Sequence, residues 1–408
     1  MFCLIFGKSI PIFGKSIPTF GISIPIFGKM RIFAPMLQSV ITVTPMLTCA
    51  FWTFVLLVDL KEHGDRGAHK QLLAWSLAAT LLYMGHCAFF NKTFSSLPFF
   101  DALYLVCNLS VLPLYLRYLS KLTEGRVGTW MNWGVGLPPV AFGLVVSLLY
   151  LLMSEKETQS FVNQYLYHNS FEGLDGLARL QAVVHQTAKV VFAIGVCTTL
   201  AMGLRKIRRY NRLVDSIYAD TEDKRLHSIG TLLLLLVLMS CISFVANAIG
   251  KHVFVDSNWM LGPTFLIFSV LLFALSYAGY RQMFSFEDIE QVETEAPAYI
   301  GNGLSDDIRK LMEKERIYLT HNLKVGDIAT RLNTNSRYIQ EALNVEMNVN
   351  FSDYINQLRV DYAEDLLKKE PDITMEDLIR RSGFSSSSTF YRNFKHIKGY
   401  RPKVDGRL

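Results

Sequence analysis

Seven long apolar segments constrain the fold of this chain more than any other feature. They lie at roughly 37–60, 71–91, 97–119, 130–153, 180–204, 227–249 and 260–281. Each is long enough for a helix that crosses the hydrocarbon core of a bilayer, which takes about 20 mostly apolar residues. Half of the 408 residues are hydrophobic and only 19% are charged, a composition typical of a membrane protein with a soluble part. We therefore expect an all-α fold with a bundle of about seven transmembrane helices over residues 37–281.

Basic residues indicate how the bundle is oriented. One alternating set of connections holds thirteen of them, whereas the other set holds Lys92, Lys156, Arg179 and Lys251. Cytoplasmic loops collect Lys and Arg, so the N-terminus is expected outside and the tail in the cytoplasm. The richer set is Lys61, Arg66, Lys70, Arg117, Lys121, Arg126, Arg205, Lys206, Arg208, Arg209, Arg212, Lys224 and Arg225.

The first 36 residues differ from the rest of the chain in containing a seven-residue repeat. Phenylalanine recurs every seven residues within near copies of "FGKSIPI", and a proline that would break a helix recurs with it. We expect a low-complexity extension over residues 1–36 that is disordered or not translated, with a true start at Met30 or Met36.

No pattern in the chain favours catalysis or a metal centre. Five of the six cysteines lie in apolar segments and none has CxxC spacing, so packing is their expected role. Kinase, phosphate-loop, HExxH and GxSxG motifs are not found. We therefore expect no enzyme activity, no metal and no cofactor.

Polar residues within the predicted spans permit two interpretations. His185 and Lys189 are four residues apart and share one helix face, and Asp101, Asn108 and His86 also lie in or near spans. Such residues are costly in a membrane, so they mark either a site that senses a small ligand or protons, or hydrogen bonds between helices. The sequence leaves both interpretations open.

The soluble tail is predicted to begin with an acidic linker over 282–304 and to continue as one domain over 305–408. A helix is expected to begin near Ser305. A tight turn at 333–335 then separates two short helices, as in a helix-turn-helix unit. The inward residues of that unit are Val325, Ile328, Ala329, Leu332, Ile339, Ala342 and Leu343.

The pattern then repeats after a long helix predicted over 351–369. Gly383 ends the next short helix in a left-handed turn, and Ser385 to Ser388 supply caps for a basic helix, "STFYRNFKHI". Phe390, Phe394 and Ile397 point inward.

This doubled pattern resembles the DNA-binding domain of the AraC/XylS family of transcription regulators. The resemblance covers roughly residues 319–403 and is strongest in the second unit, although Glu341 stands where a basic residue is common. The matching residues are Ile328, Ala329, Ile339, Phe351, Tyr354, Arg359, Ala363, Leu366, Leu367, the run from Gly383 to Ser388, Phe390, Arg392, Phe394, Lys395, Gly399 and Pro402.

The resemblance implies that this chain is bacterial and that its tail binds DNA. The expected DNA-facing residues are Asn335, Ser336, Arg337 and Gln340 in the first unit and Ser387, Ser388, Tyr391, Arg392 and Lys395 in the second. The alternative for the basic helix is a solvated face or one that lies on anionic lipid.

Two functions follow for the whole chain. The first is a one-component transcription regulator in the bacterial inner (cytoplasmic) membrane, with DNA and the lipid bilayer as partners. A small ligand at the membrane domain and a second copy of the chain, in a homodimer, are further candidate partners. The second is a membrane transporter or receptor whose basic tail docks a protein or a lipid.

Overall fold

The computed structural model describes residues 26–64, 66–90, 96–249, 258–289 and 303–402. Within these ranges the structure is helical and has no strand, apart from a single antiparallel bridge between Tyr218 and Lys324. The all-α fold class is confirmed.

Seven helices of the described ranges are long and apolar enough to cross a membrane. They match the seven predicted spans, and a short helix with a π-helical turn at Phe161–Tyr167 follows the fourth. In chain order the seven spans and the short helix are α1 (Ile26–His63), α2 (Gly67–Phe90), α3 (Leu97–Glu124), α4 (Thr129–Leu152), the short α5 (Glu155–Ser160), α6 (Gly176–Ile217), α7 (His227–Ile249) and α8 (Asn258–Arg281).

Helix α6 continues thirteen residues beyond the predicted end of its apolar segment, from 204 to Ile217. The extension is rich in arginine, which lowers its hydropathy. However, Ile207, Tyr210, Val214 and Ile217 recur at helical spacing, and all four are buried. At 1.5 Å per residue, the 42 residues of α6 span roughly 63 Å, about twice the hydrocarbon thickness of a bilayer.

Helix α1 begins at Ile26, earlier than predicted, so the end of the expected N-terminal extension is helical. Residues 1–25 and most of the predicted linker, 290–302, lie outside the described residues. The predictions for the extension and for the start codon therefore stay predictions.

The outer surface of the bundle is apolar. On α4, Leu144, Leu148, Leu151 and Leu152 are 56–83% exposed. Soluble monomers rarely expose an apolar patch of this kind, which is typical of a surface that meets a membrane or a partner.

The described part of the tail, 303–402, forms a compact domain with six α-helices. They are α9 (Leu304–Glu315), α10 (Val325–Arg331), α11 (Ser336–Glu341), α12 (Phe351–Lys369), α13 (Met375–Arg381) and α14 (Ser387–Lys398). Helix α9 begins at Leu304, one residue before Ser305. Its N-cap residue is Gly303, with φ +109°, and not Ser305. The bounds of α12 agree with the predicted helix over 351–369.

Two turns in the domain need backbone conformations that few residues adopt. Gly383 has φ +82°, and a Cβ there would lie 2.8 Å from the Cα of Leu319. Asn348, with φ +52°, adopts the left-handed conformation that asparagine tolerates better than most residues.

The domain lies against one end of the helix bundle. Lys121 Nζ, near the end of α3, donates to Glu287 Oε1 at 2.6 Å, just beyond α8. Tyr218, just beyond α6, packs its ring edge-on against Phe284. The ends of α3, α6 and α8 therefore meet on the side of the bundle that carries the domain.

Candidate nucleic-acid interface

The first helix-turn-helix unit is built from α10 and α11. The amide of Thr334 donates to the Ala329 carbonyl at 2.9 Å and closes the turn. Asn335 Oδ1 then accepts from the Tyr338 amide at 3.1 Å, which caps α11. Ile339 is fully buried under the turn, as predicted.

One residue expected to face outward in this unit does not. Asn335 is only 8% exposed, because its side chain is used for the cap. Arg337 is exposed, and Ser336 and Gln340 are half-buried. Of the residues expected to face DNA in this unit, Ser336, Arg337 and Gln340 thus keep accessible surface.

The second unit is built from α13 and α14. Ser386 Oγ accepts from the Thr389 amide at 3.2 Å and caps α14, within the run of serines predicted to supply the cap. Phe390 and Phe394 are fully buried beneath the helix.

The face of α14 that points away from this core carries most of the residues expected to contact DNA. Ser387, Ser388, Arg392 and Lys395 are exposed. Tyr391 is half-buried, with its ring 5.5 Å from that of Phe390. Polar and basic side chains at the start of such a helix are suited to base edges and phosphates.

Helix α12 joins the two units and carries a buried cation. The Arg359 side chain is 0% exposed. Its Nε and Nη2 donate to the carbonyls of Tyr318 and Thr320, each at 2.7 Å. Its Nη1 donates at 3.1 Å to Oδ1 of Asp220, which lies between α6 and α7 of the bundle.

Asp220 belongs to a connection that contacts both units, residues 218–226, here called the α6–α7 loop. The Ala219 amide donates to the Leu323 carbonyl at 3.0 Å, and the Ala219 carbonyl accepts from Ser352 and Asn356 on α12. Just before the loop, the Ser216 carbonyl accepts from Gln340 Nε2 at 3.1 Å.

Glu222 in this loop contacts the start of α14. Its Oε2 accepts from Ser388 Oγ at 3.0 Å and from the Thr389 hydroxyl. Its Oε1 accepts from Arg392 Nη1 at 3.1 Å. This contact was not predicted from the sequence, because no local pattern in a loop between two spans indicates which part of a distant domain the loop contacts.

The surroundings of Glu222 favour its ionised form. Burial opposes ionisation, but the hydrogen bond from Thr389, the charge of Arg392 and the hydrogen bond from Ser388 outweigh it and lower the pKa of the Glu222 carboxyl. The carboxylate is therefore charged at neutral pH, as a phosphate group would be.

His185 and Lys189 both lie on α6, and the structure pairs them with different groups. His185 Nε2 lies 2.8 Å from Asp101 Oδ2 on α3, and the same oxygen accepts from Tyr150 at 2.8 Å. Lys189 Nζ instead donates to Asn169 Oδ1 at 2.6 Å.

A cavity of about 60 Å³ nevertheless joins the two residues. His185 and Lys189 line it together with Asp101, Asn108 and Asn247. Among the described residues no group of three or more His, Cys, Asp and Glu side chains is arranged to hold a metal ion.

Comparison with known proteins agrees with the geometry of the tail. The family model described as "Helix-turn-helix domain" matches residues 328–405. A protein of Bacillus subtilis named "Uncharacterized HTH-type transcriptional regulator YtdP" is 29% identical over 113 residues, which are 28% of this chain and 14% of that protein. The "Msm operon regulatory protein" of Streptococcus mutans is 25% identical over 125 residues, 31% of this chain and 42% of that protein.

The chain thus spans less than half the length of each of these relatives. No solved structure is a significant match. The C-terminal part of the chain is a helix-turn-helix domain, and its type is that of the AraC regulators. Seven long apolar helices precede it.

Proposed function

We propose that the chain is a membrane-anchored, one-component transcription regulator whose tail binds specific DNA sequences. One observation carries the proposal: α11 and α14, the second helices of the two units, each bury one face and present a polar or basic one. Helix α12 holds the two units together, with its Arg359 side chain fully buried. Two such helices on one rigid domain suit two successive major grooves, about 34 Å apart.

The exposed side chains divide into two roles. Arg392 and Lys395 carry charge and suit phosphates, which supply affinity without sequence preference. Ser387, Ser388 and the half-buried Tyr391 are proposed to contact base edges or the backbone. In the first unit Arg337, Ser336 and Gln340 have the matching positions, whereas Asn335 acts through the cap of α11.

The position of the domain supports a cytoplasmic tail and an external N-terminus. Lys121, from the basic-rich set of connections, contacts Glu287 beside the domain, and Arg225 pairs with Asp215 at 2.6 Å at the same end of the bundle. A reporter that is active only in the cytoplasm, fused after Leu408, is expected to be active. A silent reporter would contradict both this orientation and access to DNA.

The cavity beside His185 supports a sensing role for the bundle. A carboxylate, an imidazole and an ammonium group border one small space within the helices, where unpaired polar groups are costly. We propose that a small ligand or a proton changes the pairing of Asp101 with His185, or of Lys189 with Asn169. The bundle would then be both an anchor and a sensor.

Selection of DNA by the full-length protein tests the main proposal. The protein is embedded in nanodiscs of neutral lipid and incubated with a pool of random duplexes, and bound DNA is sequenced. Enrichment of a shared motif is expected. A variant with Arg337 and Lys395 both changed to Ala is the control and should enrich it weakly. If the protein enriches no sequence and instead binds vesicles of anionic lipid, the basic helix is a membrane contact and the proposal fails.

A further inference from the structure

The α6–α7 loop and its immediate N-terminal flank contact both helices that are proposed to enter DNA. Ser216 accepts a hydrogen bond from Gln340 on α11, and Glu222 accepts three from α14. Two of the donors to Glu222, Ser388 and Arg392, were predicted from the sequence to face DNA. A part of the membrane domain therefore occupies the surface that nucleic acid would use.

The chemistry of Glu222 matches that of a DNA phosphate. It offers two charged oxygens to two hydroxyl groups in the first turn of α14 and to one guanidinium in the second turn. Helix N-termini and arginine side chains bind phosphate and carboxylate through the same kinds of hydrogen bonds. One set of donors cannot serve both anions at once.

We propose that the α6–α7 loop is an autoinhibitory segment, in which Glu222 occupies a phosphate-binding position on α14 until DNA displaces it. The inference rests on the proposed function, because it requires that α14 binds DNA. Asp220 and Glu222 have separate roles in it. Asp220 anchors the loop to the domain through buried Arg359, whereas Glu222 sits in a more exposed contact that can open.

The geometry of α6 connects this segment with the cavity inside the bundle. The same unbroken helix carries His185 near one end and leads into the loop at Ile217. At 1.5 Å per residue the two positions are roughly 48 Å apart along the helix axis. A shift or rotation of α6 at the cavity would therefore move the loop that carries Glu222 relative to α14.

The test compares two charge-neutralising variants in the full-length protein. Glu222→Gln removes the proposed phosphate mimic. Asp223→Asn removes the same charge at the next residue, which is exposed. Binding of each protein in nanodiscs is measured on the duplex that the Glu222→Gln protein enriches from a random pool.

Glu222→Gln is expected to bind about ten-fold more tightly than the wild type, because apparent affinity rises with the fraction of molecules in the binding-competent state. Asp223→Asn should bind like the wild type. Equal affinity of Glu222→Gln and wild type would overturn the inference and leave the proposed function standing. An equal gain in both variants would also overturn it, since a general loss of negative charge would then explain the result. If none of the three proteins binds any duplex, the proposed function itself fails.

A second measurement does not depend on affinity. Hydrogen exchange of residues 221–224 should quicken in the wild type when the enriched duplex is added, and no such change should follow a scrambled duplex. Unchanged exchange on DNA binding would show that the loop stays in place, which contradicts displacement.

Discussion

The guanidinium of Arg359, at the middle of α12, lies 3.1 Å from the carboxylate of Asp220, between two long helices of the bundle. Both side chains are buried, with 0% and 8% of their surface exposed. Asp220 also accepts from the Asn322 amide at 3.0 Å. The helix that joins the two helix-turn-helix units is thus attached to the bundle through a buried ion pair.

Loss of Asp220 should destabilise this attachment strongly. Asp220→Ala leaves the Arg359 charge buried without its partner, a change that typically costs about 3–5 kcal/mol. We expect the C-terminal domain of the full-length protein to become protease-sensitive at a lower urea concentration. The double variant with Arg359→Met should recover part of the loss, because no unpaired charge remains. Equal loss in the single and double variants would show that the pair is not the cause.

Two glycines in the second unit offer a matched comparison. Both have left-handed backbones, with φ +82° at Gly383 and φ +80° at Gly399. An added Cβ at Gly383 meets the Leu319 backbone at 2.8 Å, whereas at Gly399 nothing among the described atoms lies within 4 Å. Gly399→Ala should cost about 1 kcal/mol from the conformation alone. Gly383→Ala should cost clearly more, measured by thermal unfolding of the domain. Equal costs would contradict the close packing of this turn on Leu319.

Much of the fold could be predicted from the sequence, because the forces that determine it act locally. Apolar length identified the seven spans, and periodicity gave α12 its bounds of Phe351 and Lys369. The end of α6 was missed for a physical reason. Its last turns are held by Ile207, Tyr210, Val214 and Ile217, which pack beneath a surface of arginines that lowers the hydropathy.

The candidate interface was only partly predictable, because its contacts are formed by distant parts of the chain. Helical spacing correctly placed Arg392 and Lys395 on an exposed face. The same reasoning failed for Asn335. At the start of a helix, the sequence does not distinguish an asparagine that caps the helix from one that faces solvent. The contact of Glu222 with Arg392 joins residues 170 positions apart, and no local pattern records it.

The Glu222 contact should not respond to pH in the neutral range. Burial opposes ionisation of this carboxyl, but hydrogen bonds and the Arg392 charge lower its pKa below the ordinary value of 4.5. A group with a lowered folded-state pKa stabilises the contact above its ordinary pKa and loses that effect only as pH falls through the lowered value. The affinity ratio of Glu222→Gln to wild type should therefore be the same at about pH 8 and about pH 6, a range in which histidines titrate. A ratio that shrinks toward about pH 6 would assign the effect to a histidine instead.

Substitutions at the cavity test whether the bundle senses a signal. Changing His185 and Lys189 to Leu removes an imidazole and an ammonium group that border the same space. Transcription of the target genes should then stay on or off whatever the growth condition, while the protein remains in the membrane. Asp101→Asn should act in the same direction, because Asp101 shares a hydrogen bond with His185.

Thr187→Val on the same helix is the control. Its side chain is exposed and, among the residues that the structure describes, bonds only to the Val183 carbonyl of its own helix, so the response should persist. If target-gene transcription responds normally in the His185 and Lys189 double variant, these residues have a structural role and not a sensing one.

Lys395 and Arg337 are expected to affect DNA binding in different ways. Lys395 is an exposed cation on α14 and is proposed to meet a phosphate, so Lys395→Ala should weaken binding to all duplexes and reduce the salt slope by about one. Arg337, at the exposed start of α11, suits a base edge. Arg337→Ala should therefore relax sequence preference in one half of the DNA site, at a cost of about 1–3 kcal/mol in binding free energy on the best sequence.

Lys310→Ala on α9 is the control, since this exposed lysine pairs with Asp307 and has no proposed DNA contact. Titration of the full-length protein with matched and mutated duplexes at several salt concentrations separates the two effects. If Lys395→Ala and Lys310→Ala change the salt slope equally, α14 does not hold a phosphate through Lys395.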